Sequence, residues 1–159
     1  MWTLTDSPVG ELRLVEQEGA ITAIEFTPFH DGDGRVRGRR GDTHPVLAEA
    51  VRQLAAYFAR DLKEFDLPLA PVGSAFQQRV WEQLRAIGYG ETASYGQVAG
   101  RLGMTNAASR AVGLANGRNP IPIVIPCHRV IGANGTLTGY AGGIDRKQKL
   151  LELEQDALF

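Results

Sequence analysis

The residue types that could do chemistry concentrate in Asn119–Val130, which reads NPIPIVIPCHRV. Cys127 is the chain's one cysteine. A single thiol is most often a small buried hydrophobe. Here the apolar run Ile121–Ile125 and the rigid Pro126 deliver the sulfur to the end of a buried segment, and His128 and Arg129 follow at once. A thiol titrates at roughly 8.5 and is a weak nucleophile at neutral pH until a base or cationic surroundings raise its thiolate fraction. A nearby imidazole can take the proton, directly or through water, and needs a carboxylate or carbonyl to set its tautomer. Glu152 and Glu154 on the last helix, and Asp145 at its start, are the candidates for that third group.

The elements around this segment must place it. Thr92–Asn116 reads TASYGQVAGRLGMTNAASRAVGLAN. Thr92 or Ser94 can cap a short helix carrying Val98, Ala99 and Leu102, and Gly103 is a natural left-handed stop. Thr105 or Asn106 can cap a second helix through Ala107, Ala108, Ala111 and Leu114. Helix, glycine turn, helix is the helix-turn-helix pattern. The second helix has a face of small residues with Arg110 as its one long polar arm, a shape that can enter a groove. Upstream, Ser74 can cap a helix with an apolar stripe of Phe76, Val80, Leu84 and Ile87, beside which Trp81 packs.

The first part of the chain reads differently. Residues 2–6 and 10–27 predict strands of a short antiparallel meander, punctuated at Ser7–Gly10 and Gly19. Residues 30–44 (HDGDGRVRGRRGDTH) have almost no apolar content and predict a mobile, solvated surface loop. Pro45 suits a helix start, with Leu47, Val51, Leu54 and Phe58 on one face. Pro68 and Pro71 in DLPLAPVG predict a linker, so the domains are expected at residues 1–72 and 73–159.

Composition narrows the function. At 159 residues, 43% hydrophobic and 22% charged, the chain has the balance of an ordinary globular protein. One cysteine excludes an internal disulfide and a cysteine-rich zinc site, and three scattered histidines argue against a dedicated metal site. The start MWTLTDSPVG lacks the basic and apolar runs of a signal peptide, and no stretch approaches the ~18 apolar residues of a membrane span. With a lone thiol, these features predict a cytoplasmic protein. Residues 1–73 hold eight basic and twelve acidic residues, a balance of −4, whereas residues 74–159 hold nine and six, a balance of +3. The second half therefore suits an anionic partner.

IPCHRV at Ile125–Val130 resembles the active-site signature of the O6-alkylguanine-DNA alkyltransferases, the methylated-DNA–protein-cysteine methyltransferases. Phe76–Trp81 (FQQRVW), Tyr89–Glu91, Ser94-Tyr95-Gly96, Arg110–Gly113 (RAVG), Asn119-Pro120, Gly139–Gly143 (GYAGG) and Leu150–Glu154 fall in the family's order. The resemblance is strong from Val72 to Glu154 and loose before that. The loop at 31–42 looks like an insertion or an elongated connection. Cys127 also sets the chain apart from the branch that carries Trp at this position and only binds lesions.

The resemblance implies an α+β protein: a small ribonuclease-H-like α/β domain with an antiparallel sheet, followed by a mainly helical domain with the helix-turn-helix. It implies stoichiometric, irreversible transfer of the alkyl group from O6-alkylguanine in double-stranded DNA, and less well from O4-alkylthymine, to the protein's own thiol after base flipping. Cys127 would be the nucleophile, His128 its base through a water, and Glu154 the group that orients His128. Asn119 would keep the thiol placed, and Tyr95 would donate a proton to the leaving base. Arg110 would fill the stack vacated by the flipped nucleotide, with Ala111, Asn116, Arg129 and Tyr95 also on the DNA side. Tyr140, Ala141, Gly142 and Val130 would line the base pocket. No cofactor is implied, because the lesion is the alkyl donor; a monomer without an obligatory protein partner is expected. A module that only binds alkylated DNA and a cysteine hydrolase are the rival readings.

Overall fold

The computed structural model describes residues 1–140 and 142–156. The chain divides into two compact units, Met1–Val72 and Gly73–Phe159.

In the first unit, β1 (Trp2–Thr5), β2 (Leu12–Gln17) and β3 (Ala20–Phe26) form an antiparallel sheet in that order. Glu18 and Gly19, at φ 52° and 83°, close the β2–β3 hairpin, the backbone handedness that a two-residue turn needs to match strand twist. Leu12, Leu14, Ile21 and Ile24 are buried and form the sheet's apolar face with Leu47, Ala50, Leu54 and Tyr57 of α1 (Pro45–Phe58). The expected face of α1 is therefore rotated. Ala50 and Tyr57 are buried, while Val51 and Phe58 are half-buried. Tyr57 takes the core position, with its ring tilted 39° to that of Phe65 at a centroid distance of 5.3 Å.

Two further expectations change. The Pro-rich segment is not a free linker: Ile21 N donates to Pro68 O and Ala70 N to Ile21 O, both at 2.8 Å, so it pairs along β3. Buried Gln53 grips the same stretch through the backbone of Asp66 on both sides, at 2.9 Å. The arginine loop is likewise not simply solvated. Arg37 Nη2 reaches Glu25 Oε1 at 2.5 Å and Asp33 Oδ2 at 2.7 Å, and the loop backbone pairs with Trp2 at Arg39 and Gly41. A guanidinium held between two carboxylates and mostly removed from water is a bound strut.

The second unit carries the helices. Ser74 and Gln77 form a reciprocal capping box on α2 (Ala75–Leu84), which buries Val80, Trp81 and Leu84. Trp81 Nε1 donates to Ala115 O at 2.8 Å and so ties α2 to the helix that holds Ala115. Ser94 caps α3 (Tyr95–Arg101) with Gln97 in a second capping box. Gly103, at φ +75°, ends that helix. A short 3-10 turn (Asn106–Ala108) leads into α4 (Ser109–Gly117). Neither Thr105 nor Asn106 caps it through a side chain; Asn106 Oδ1 accepts from Ser109 Oγ instead. A Cβ on Gly96 would lie 2.2 Å from that same Asn106 oxygen, so a side chain there would displace the Asn106 amide. A two-residue parallel pair joins β4 (Ala93–Ser94) to β5 (Val130–Ile131), and α5 (Ile144–Asp156) ends the described chain. No helix among the described residues is long and apolar enough to cross a membrane.

Candidate active site

The thiol segment is irregular backbone inside the second unit, and its geometry comes from side-chain amides. Asn119 Oδ1 accepts from Ile121 N at 3.0 Å and Asn119 Nδ2 donates to Ile125 O at 2.7 Å, so one amide spans the turn. Within it, Ile123 sits at φ +74°, a conformation rare for a β-branched residue. Ile121, Ile123 and Ile125 are all buried, and that packing holds the strained residue in place. Cys127–Arg129 then form a single 3-10 turn, closed by Val130 N donating to Cys127 O.

His128 and Glu154 come together across 26 residues, with His128 Nε2 2.7 Å from Glu154 Oε2. A carboxylate only accepts, so Nε2 carries the proton and Nδ1 is left as the imidazole's acceptor. Nδ1 is buried and has no hydrogen-bond partner among the described residues. Of the three candidate carboxylates, Glu154 is therefore the one at the histidine. Glu152 is exposed and takes Gln148 Nε2, and Asp145 is exposed at the start of α5.

Arg129 departs from expectation. It does not face outward toward DNA: its Nε and Nη2 bind the two oxygens of Glu154 at 2.9 and 3.0 Å, and Nη1 donates to Ile87 O at 2.6 Å. Asn116 also turns inward. It is buried, with Nδ2 3.3 Å from Cys127 O, so it ties α4 to the thiol's own peptide. Val130 is fully buried; its carbonyl accepts from Lys147 Nζ at 2.6 Å. Arg110 and Ala111 are exposed on α4, together with Leu114.

Tyr95, at the start of α3, is half-buried, and its hydroxyl donates to Thr138 O at 3.1 Å. The ring lies against Gly113 of α4, where a Cβ would make ordinary van der Waals contact at 3.7 Å. Tyr140 is largely buried, and Gly142 accepts from Arg146. Ala141 lies outside the described residues.

Lys147 is a functional candidate that no sequence motif singles out. It is 0% exposed and donates to Val130 O and to Thr138 O, at 2.6 and 2.9 Å. The signal was present: Lys147, Leu150 and Glu154 lie at i, i+3 and i+7 on α5, one helical face, and all three are buried.

Burial and pairing set the resting protonation states. Burial pushes the Cys127 thiol up to about 11 against the opposing pull of Asn119 and Lys147. Burial also holds His128 below its ordinary 6.5, outweighing the bond to Glu154. Burial would raise the Glu154 carboxyl, but His128 and Arg129 together bring it down to about 2. At neutral pH the site thus rests as thiol, neutral imidazole and carboxylate, with a base ready but the nucleophile still protonated. Among the described residues no group of three or more His, Cys, Asp or Glu side chains could hold a metal ion.

Two family models cover the chain. The 6-O-methylguanine DNA methyltransferase ribonuclease-like domain matches residues 1–71, and the DNA binding domain of the same family matches residues 75–156. A methylated-DNA–protein-cysteine methyltransferase of Mycolicibacterium paratuberculosis is 52% identical over 150 residues, 94% of this chain and 89% of the relative. The constitutive enzyme of Bacillus subtilis is 45% identical over 157 residues, 97% and 94% of the two chains. The crystal structure of Mycobacterium tuberculosis O6-methylguanine methyltransferase superposes with a TM-score of 0.89 at 47% identity, covering 98% of this chain and 93% of its own. Two matched domains in the same order and relatives at this identity over nearly the whole length lead to one conclusion: the chain belongs to the methylated-DNA–protein-cysteine methyltransferase family.

Proposed function

We propose that this protein repairs O6-alkylguanine in double-stranded DNA by moving the alkyl group irreversibly onto Cys127, each molecule acting once. The observation that carries the reading is the buried line of Cys127, His128, Glu154 and Arg129 inside the unit that matches the family's DNA binding domain. A related M. tuberculosis enzyme, at a TM-score of 0.85, is known in complex with DNA.

The steps follow from the groups present. The target carbon lies within the base stack, so the nucleotide must be flipped out, which costs a few kcal/mol and least for a damaged base. Arg110, exposed on α4, enters the gap and offsets part of that cost; Ala111 beside it permits close approach. The thiol proton passes through a water to His128 Nδ1, whose other nitrogen is fixed on Glu154. The new bond forms between Sγ and the alkyl carbon as the carbon–O6 bond breaks, and its electron pair leaves with the guanine. Tyr95 then donates to the departing base, which requires its hydroxyl to exchange Thr138 O for the guanine edge. Asn119 keeps the thiol segment in register, and Tyr140 and Gly142 flank the base. The lesion supplies the alkyl group, so no cofactor enters the balance. The thioether formed has no route back, which makes the reaction stoichiometric. O4-alkylthymine is the poorer substrate, and the protein acts as a monomer in the cytoplasm.

Incubation with duplex DNA containing O6-methylguanine, followed by peptide mass spectrometry, tests this. One methyl group on the peptide holding Cys127, with loss of the lesion, is the expected result. Binding without a mass change would make the chain a lesion-binding module instead.

A further inference from the structure

We propose that Lys147 is the buried countercharge that allows the Cys127 sulfur to carry negative charge during transfer, an inference that rests on Cys127 being the alkyl acceptor.

A balance of the charges around the thiol leads there. Glu154 and Arg129 neutralise one another through two hydrogen bonds. His128 is a neutral imidazole, held below its ordinary titration range by burial. Tyr95 and Tyr140 bring uncharged phenols. On α5, Asp145, Lys149 and Glu152 are exposed, and Arg146 donates to Gly142 O. Lys147 is the surplus: an ammonium with no exposed surface and, among the described residues, no carboxylate partner. Its two bonds are to carbonyl oxygens, which solvate a cation without cancelling its charge. An ammonium buried without a counterion is unfavourable. It becomes favourable when a negative charge arises beside it.

Its placement matches where that charge arises. Val130 joins Lys147 to the thiol turn through both of its peptide groups, donating N–H to Cys127 O and accepting from Nζ. The other acceptor, Thr138 O, is the one that receives the Tyr95 hydroxyl, and Nζ stands 5.9 Å from the centre of the Tyr95 ring. Burial lowers the Lys147 pKa and raises that of Cys127, and each group opposes the other's shift by favouring its charged form. As the thiol proton moves to His128, negative charge appears on Sγ. As the Sγ–carbon bond forms and the carbon–O6 bond breaks, that charge passes to the guanine. Lys147 neither gives nor takes a proton in this sequence.

The alternative is that Lys147 only braces two carbonyls. Lys147→Gln separates the two, since an amide can donate to both oxygens without charge, and Lys147→Arg keeps the charge. Both variants and the parent are first compared by thermal unfolding. Their single-turnover rates with free O6-benzylguanine are then measured from pH 6 to 10, with the modified peptide mapped. The expected result is that Lys147→Gln reacts at least about tenfold more slowly, the change that one pKa unit makes in thiolate fraction, with its whole profile displaced toward alkaline pH. Lys147→Arg should retain the parent's pH profile. A folded Lys147→Gln with the parent's profile overturns the proposal. If Gln does not fold, an Arg variant with an alkaline-shifted profile overturns it, and one with the parent's profile supports it. A parent that gains no benzyl group on Cys127 overturns the acceptor assignment itself, a distinct outcome.

Discussion

Arg129→Met isolates the energetics that hold the site together. The substitution removes three hydrogen bonds, two to Glu154 and one to Ile87 O, and leaves the Glu154 carboxylate 1% exposed beside a neutral imidazole. Breaking a buried pair by taking away one partner costs about 3–5 kcal/mol, because the remaining charge has lost its compensation. That is a large share of the ~5–15 kcal/mol by which folded proteins are stable. Replacing both partners, as Arg129→Met with Glu154→Leu, removes the stranded charge; it leaves His128 Nε2, the half-buried Gly90 N–H and, as in the single variant, Ile87 O without these partners, about 1–3 kcal/mol for each that stays buried and unsatisfied. The double variant should therefore be more stable than Arg129→Met alone, yet inactive, because nothing then orients His128. Urea unfolding of the full chain measures the stabilities, and methyl transfer from duplex DNA measures the activity. pH supplies an internal check. In the parent, Glu154 titrates at about 2 rather than 4.5, so its contribution is fully present above 4.5 and is lost as pH falls toward 2. Without Arg129 the carboxyl takes its proton at higher pH, so the gap between parent and Arg129→Met should narrow on acidification. A loss below about 1 kcal/mol for the single variant, or a double variant whose loss equals the sum of the two singles, would refute the reasoning.

Two other expectations are direct. Arg110→Ala should slow repair of duplex DNA far more than reaction with free O6-benzylguanine, since the free base needs no flipping; equal losses in the two rates would move Arg110 from the DNA stack to the base pocket. Ser94→Ala removes the cap that Ser94 Oγ provides to Gln97 N at 3.0 Å on a seven-residue helix. It should cost about 1 kcal/mol, read as a fall of a few degrees in Tm, and a change within error would show that packing alone fixes the start of α3.

What the sequence determined by itself is what neighbouring residues decide. Ser74 and Ser94 cap helices because the hydroxyl and the amide it satisfies are three residues apart. Glu18-Gly19 and Gly103 turn the chain because their own backbones adopt positive φ. Cys127 and His128 are adjacent, so a nucleophile beside a base was legible at once, and the order of motifs around them carried the family. Tertiary structure decided which distant partner each charged residue meets. Glu152 and Glu154 are two positions apart, roughly 200° around a helix, and only the packing of α5 places one of them against His128. A charge or an amide, such as those of Arg129, Lys147 and Asn116, belongs in water unless a partner waits inside. Their partners are the Glu154 carboxylate and the carbonyls of Ile87, Val130, Thr138 and Cys127, all at least nine positions away along the chain. Arg37, between Glu25 and Asp33, and the Pro68–Ala70 segment along β3 follow the same logic. Local patterns state what a residue prefers on average; the free energy of burying it depends on what the rest of the fold brings to meet it.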